Sequence, residues 1–248
     1  MLINTVAQRY EGQVKVVSED FGASELAERF GVKRYPAVFV NDVLIAKPKD
    51  FGFFGTSGSQ GSGRYTPWLK EESHERFSQD LDRILQQAIS GELESFDPEM
   101  LSEEEITALP ELEGKDLLGQ VWNSKTLRET VTIVDFWATW CPPCIKALPW
   151  LVELQEQHPG RLQILSVAIE SKVEDVQRIS EVLHLPFPTL LGTPELARSF
   201  GDLTSVPTMF IFASGGRLID VIYGAPPGLH DQVEALLADH LDNVSGGR

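Results

Sequence analysis

Cysteine is scarce: the 248 residues contain two. One pair cannot form a stabilising disulfide framework, which leaves the two sulfurs to redox chemistry or to metal. Long apolar runs are missing as well. None approaches the roughly 20 residues of a membrane span. The opening MLINTVAQRY has neither the basic start nor the apolar core of a signal peptide. Basic residues are few, 21 Lys and Arg against 37 Asp and Glu, a formal charge of -16. Nucleic-acid binding needs clustered Lys and Arg, so this balance argues against it and reads as solubility. Histidine is thin and scattered, at His74, His158, His184, His230 and His240. Zinc needs four ligands, two cysteines supply two, and no histidine pair completes the set. No metal or cofactor is therefore expected, nor any membrane span. As the chain stands it reads as cytoplasmic, and a start codon further upstream carrying an export signal would make it extracytoplasmic. What is plentiful is ordinary: 42% hydrophobic and 23% charged residues describe a globular chain of one large or two average domains.

The two cysteines stand three apart in Trp140-Cys141-Pro142-Pro143-Cys144. Before them, Val131 to Trp140 (VTIVDFWATW) reads as a buried strand running into the motif, and after them Ile145 to His158 reads as a helix. A Cys-x-x-Cys between strand and helix is the sign of a thioredoxin-like redox site. The first cysteine then sits at a helix N-terminus, where unpaired N–H groups and the helix dipole favour a thiolate. The second lies one turn on, within reach of a disulfide.

An internal repeat organises the rest. Glu25-Leu26-Ala27-Glu28-Arg29-Phe30-Gly31 followed by Tyr35-Pro36 and Ala37-Val38-Phe39-Val40 recurs as Glu195-Leu196-Ala197-Arg198-Ser199-Phe200-Gly201 followed by Val206-Pro207 and Thr208-Met209-Phe210-Ile211. Each copy reads as a short helix, a glycine stop, an X-Pro dipeptide and a strand. The expected organisation is a first domain over 1–91, an acidic linker over 92–113 and a second domain over 114–248. In the first domain, Val14 to Val17 reads as a strand, Ala23 to Phe30 as a helix, Ala37–Val40 and Val43–Ala46 as a hairpin through Asn41-Asp42, and His74 to Ser90 as an amphipathic helix. Between these lies a Gly/Ser-rich loop with aromatic residues at its start, FGFFGTSGSQGSG over 51–63. In the second, strands are expected over Val131–Phe136, Leu162–Ile169, Thr189–Leu191, Thr208–Phe212 and Arg217–Tyr223. Helices follow over Cys144–His158 (bent by Pro149), Val173–His184, Pro194–Phe200 and Leu229–Leu241. The βαβ opening and hairpin-plus-helix ending give an α/β fold, a central mixed sheet with helices on both faces.

The second half resembles the TlpA-like family of thioredoxin-fold thiol:disulfide oxidoreductases. The resemblance rests on Val134-Asp135-Phe136-Trp137-Ala138-Thr139-Trp140-Cys141-Pro142-Pro143-Cys144, on Pro149, Pro188-Thr189, Val206-Pro207-Thr208 and Gly215-Gly216-Arg217, and covers about 112–248. Two departures stand out. Ile145-Lys146-Ala147-Leu148 lacks the Glu that many members carry there, and Asp135 stands where many have Asn, like the buried acid of ordinary thioredoxins. The first half resembles the back half of a thioredoxin without the Cys-x-x-Cys, so the chain reads as two tandem thioredoxin-like domains, the first incomplete. The resemblance implies a cis Val206-Pro207 peptide beside the disulfide.

These readings assign roles. Cys141 is the candidate nucleophile and Cys144 the resolving thiol. Asp135, facing the sheet core six residues before Cys141, is the candidate proton acceptor, because a buried carboxylate has a raised pKa. Val206 and Pro207 offer backbone to a substrate strand, and Trp140 is a candidate contact at the site's edge. Trp137 is expected as a wall beside the disulfide. The implied partners are protein disulfide or dithiol clients and an upstream thiol reductase or oxidase. Two other functions remain open on sequence alone: a client-binding or chaperone-like protein with incidental redox activity, and a thiol peroxidase. In the first domain the aromatics of 51–55 and 64–68 are either an exposed recognition surface or core filling.

Overall fold

The computed structural model describes residues 2–19, 24–32, 35–51, 64–65, 71–93, 106–201, 203 and 205–241. The chain divides into two compact units, Met1–Glu104 and Glu105–Arg248. Most of the Gly/Ser-rich loop, Thr66 to Trp68, and 94–105 of the acidic stretch lie outside the described residues. Among those described, no helix is long and apolar enough to cross a membrane.

In the first unit, α1 (Leu2–Ala7) runs into a 3-10 turn at Gln8–Tyr10, followed by α2 (Glu25–Arg29), the hairpin β1 (Val38–Val40) and β2 (Val43–Ala46), α3 (Pro48–Phe51) and α4 (Glu71–Ser90). The stripe Phe77, Leu81, Ile84 and Leu85 of α4 packs on Val6, Val40, Ile45 and Ala46, as its helical spacing requires. One expectation fails here, and one open choice is decided. Val14 to Val17 is not a strand. Its side chains Val16 and Val17 are exposed, and β-branched residues make a strand only where an edge exists to pair with. Phe51 and Tyr65 are buried rather than displayed. Their rings stand 5.5 and 5.0 Å from that of Phe77, so for these two the core-filling reading holds. Arg64 locks the corner through both Asp50 carboxylate oxygens at 2.9 Å and the Ile45 carbonyl at 2.6 Å.

In the second unit a hairpin comes first, β3 (Glu113–Lys115) and β4 (Val121–Asn123), with the short α5 (Ser124–Leu127) behind it. None of these was expected, because their residues carry neither alternation nor a helical stripe. Then follow β5 (Val131–Trp137), α6 (Pro142–Gln157), β6 (Leu162–Ala168), α7 (Val173–Val182), β7 (Thr189–Leu191), α8 (Pro194–Ser199), β8 (Thr208–Phe212), β9 (Leu218–Tyr223) and α9 (Leu229–Leu241). The last eight residues of the expected linker, 106–113, do not behave as one: Leu109 and Leu112 are buried. Leu109 N–H donates to Gly216, and Leu112 accepts from Ser124 N–H. Two apolar side chains outweighed the acidity of the stretch.

The sheet order is β7-β6-β5-β8-β9. The first three strands are parallel, β8 runs antiparallel to β5, and β9 runs antiparallel to β8, so the sheet is mixed. β5 lies at the centre and is buried along its whole length, which is why it reads as an almost unbroken apolar run. Alternate residues face opposite layers. Ile133 and Trp137 join the core that includes α6, α7 and α9. Phe136 meets Phe200, at the end of α8, and Phe210 on the other side.

The two copies of the repeat take the same local conformation. α2 is capped by Ser24 Oγ and α8 by Thr193 Oγ1. Both end at a left-handed glycine, Gly31 (φ +63°) and Gly201 (φ +83°), a conformation glycine adopts without strain. Both then reach a cis proline, Tyr35-Pro36 and Val206-Pro207, before β1 and β8.

Candidate functional site

The central strand ends at Trp137 and the chain turns at once into α6, whose N-cap is Cys141. Prolines fill the first two helical positions, where a missing N–H costs nothing. That starts the helix at Pro142, two to three residues earlier than the sequence suggested. It also leaves few donors around the sulfur: Cys144 N–H gives its hydrogen to Cys141 Sγ at 3.3 Å. The cysteines form a disulfide, Cα to Cα 5.3 Å. Cys141 keeps 4% exposure and Cys144 1%, so Cys141 is the more accessible of two well-covered residues.

Val206, at the cis peptide with Pro207, brings its carbonyl oxygen to 3.7 Å from Cys141 Sγ. A disulfide sulfur has no proton to donate, so in this state the approach is a contact; in the dithiol state the S–H can donate across it. The strand after Pro207, β8, pairs with β5, and this pairing carries residue 206 to the end of β5 where the cysteines sit. The fold therefore assembles Cys141, Cys144, Val206 and Pro207.

Asp135 lies two residues before Trp137 on the same face of β5, the face whose core contains Cys144. It is 2% exposed, and its Oδ1 makes no hydrogen bond to the protein. Burial alone pushes its pKa up from 3.8 to about 7. No charged neighbour contributes: the paired strand residues are Ser166 and Met209. Trp137 is wholly buried and donates its indole N–H to Ser166 Oγ at 2.7 Å, so it sits in the core under the site. Trp140 differs. It is 55% exposed beside the disulfide, yet its indole N–H donates to the Glu170 carbonyl at 3.0 Å.

Sequence reasoning missed Ser166, Glu170 and Ser171. The available signal was topological. In α/β sheets, chemistry gathers at the carboxyl ends of parallel strands. Glu170 and Ser171 follow β6 directly at that end, next to the end of β5.

The AhpC/TSA family matches residues 107–221. A thioredoxin from Alicyclobacillus acidocaldarius is 31% identical over 109 residues, covering 44% of this chain and 80% of the relative. The thiol-disulfide oxidoreductase ResA of Bacillus subtilis is 24% identical over 135 residues, 54% of this chain and 72% of the relative. Among solved structures, a thiol:disulfide interchange protein of the thioredoxin family from Chlorobium tepidum aligns with TM-score 0.50 at 29% identity, covering 54% of this chain and 96% of that one.

Proposed function

We propose, from the premise that this chain belongs to the thioredoxin family, that it exchanges protein disulfides through Cys141 and Cys144. It is a thiol-disulfide oxidoreductase in class, and the finer mechanism is our reading. In the reducing direction the Cys141 thiolate attacks a client disulfide. One client S–S bond breaks, a Cys141–client S–S bond forms, and the leaving sulfur departs as thiolate and takes up a proton. Cys144 then loses its proton to Asp135 and attacks Cys141 Sγ. The mixed disulfide breaks, the Cys141–Cys144 bond forms, and the second client sulfur leaves as a thiolate that takes up the proton Asp135 gave back to solvent, so the client departs as a dithiol. An upstream thiol reductase restores the pair; with an oxidase the same steps run backwards. The helix N-terminus supports thiolate character at Cys141, and the buried carboxyl of Asp135 supports its part as acceptor. The Val206 backbone, beside Cys141 Sγ, supports pairing with an extended client segment, and exposed Trp140 supports contact at the rim.

The observation that carries this reading is the placing of Cys141 at the α6 N-cap, with Cys144 N–H on its sulfur. We read residues 1–91 as a degenerate thioredoxin-like domain, supported by the shared conformation of the repeats. The test is turnover of insulin disulfides with dithiothreitol as reductant. Many turnovers per protein are expected. Stoichiometric binding without turnover would favour a client-binding protein. Faster consumption of hydroperoxide than of insulin disulfide would favour a peroxidase.

A further inference from the structure

The parallel ladder between β5 and β6 has a strict rhythm. Val131 N–H donates to the Arg161 carbonyl at its start, and at its end Ile169 N–H donates to the Trp137 carbonyl at 2.9 Å. With the strand residues in register from Val131–Leu162 to Trp137–Ala168, the next rung would be Thr139 N–H to the Ile169 carbonyl. That rung is not made directly. Ser171 Oγ stands between the two groups: it accepts from Thr139 N–H at 2.9 Å and donates to the Ile169 carbonyl at 2.9 Å. The residue bridged over, Glu170, takes φ +43°, a left-handed conformation uncommon outside glycine. This turn presents the Glu170 carbonyl to the Trp140 indole N–H at 3.0 Å.

We infer that Ser171 is a positioning residue, a hydroxyl inserted into the ladder that spaces the end of β5 from β6 and holds the Trp140 indole in place beside Cys141 for a protein client. The inference rests on the exchange reading above. Two hydrogen bonds at about 2.9 Å replace one, so the strands part by the width of a hydroxyl. The parted chains leave room for the Glu170 turn. With its N–H tethered, a half-exposed indole offers its face without first having to be ordered. Removing the hydroxyl lets Thr139 close directly on Ile169 or turn to water, and either outcome releases Trp140.

The full-length chain with Ser171→Ala is compared with Ser171→Thr, which keeps the hydroxyl, and with the natural sequence. Each is assayed on insulin and on a small aromatic disulfide. Ser171→Ala should raise KM for insulin roughly tenfold with kcat unchanged, and leave the rate on the small disulfide within about twofold. Its Trp140 indole N–H, assigned by comparison with Trp140→Phe, should exchange with deuterium at least tenfold faster. Ser171→Thr should restore both. No change on insulin, an equal loss on both substrates, or an unaltered indole exchange rate would overturn the inference. Failure of the natural sequence to turn over either substrate would instead overturn the exchange reading, and the indole exchange rate would still test the clamp.

Discussion

A carboxyl buried under a helix that carries two sulfurs, with no cation near it, responds to its surroundings by keeping its proton. Asp135 does so up to about pH 7, against 3.8 for an ordinary aspartate. Between those values the folded chain holds a proton that the unfolded chain has lost. Stability therefore falls as pH rises through that window and stays low above it. Asp135→Asn should be more stable than the natural protein at pH 8, by on the order of 3–4 kcal/mol, and about equal to it at pH 4. Urea denaturation of both oxidised proteins at the two pH values checks this. A gap that does not change with pH would mean the ionisation belongs elsewhere. The same substitution should remove an ionisation near pH 7 from the pH–rate profile of exchange. Asp135 was legible as a candidate because it interrupts an apolar strand just before the motif. Ser171 was not, because nothing in a sequence marks a hydroxyl that replaces a backbone acceptor in a ladder.

At the scale of elements, the parallel strand ends do the positioning. The end of β6 is braced by Gly192, just past β7, whose N–H donates to the Ala168 carbonyl at 2.7 Å. A Cβ placed on Gly192 would stand 2.5 Å from Ile169 Cγ2 and 3.1 Å from Val167 Cγ1. Both belong to β-branched side chains that cannot swing away freely. Gly192→Ala should therefore cost about 1–3 kcal/mol through overpacking, read as a lowered Tm, and should displace Ile169 and with it the Thr139–Ser171 contact. A Tm unchanged within a degree would contradict that packing. The helix α4 was legible from its spacing, and β5 from an apolar run leading into the motif. The β3–β4 hairpin was not. Its turn is set by Asp116, whose Oδ1 accepts from Leu118 and Gln120 N–H, a local polar device without a repeating pattern. Val14 to Val17 misled for the converse reason: strong β-propensity with no neighbour to pair.

For the whole molecule, the boundary of the second unit carries a prediction of its own. The acidic stretch looked like a tether as far as 113, yet Leu109 and Leu112 are built into the second unit. A fragment beginning at residue 106 should fold and keep exchange activity. One beginning at 114 loses two buried leucines, each contributing about 1.5–3 kcal/mol, and should melt at a clearly lower temperature. Equal Tm values for the two fragments would return 106–113 to the linker. Charge and proline content, the signals that suggested a linker there, report average solvation and overlook two leucines at the right spacing. The catalytic half of the chain was readable because its motif, strand and helix occur in sequence order. Of the contacts between distant segments that finish the site, Val206 on Cys141 was implied by the family resemblance, whereas Ser171 on Thr139 depends on topology.

The central claim is that Cys141 attacks and Cys144 resolves. It is tested most directly by trapping mixed disulfides with two single-cysteine variants and identifying the joined peptides by mass spectrometry. Cys144→Ser should accumulate a covalent adduct with a reducible protein such as insulin, joined through Cys141, while Cys141→Ser should give little or none. Equal adducts from both variants, or adducts from Cys141→Ser alone, would contradict the assignment.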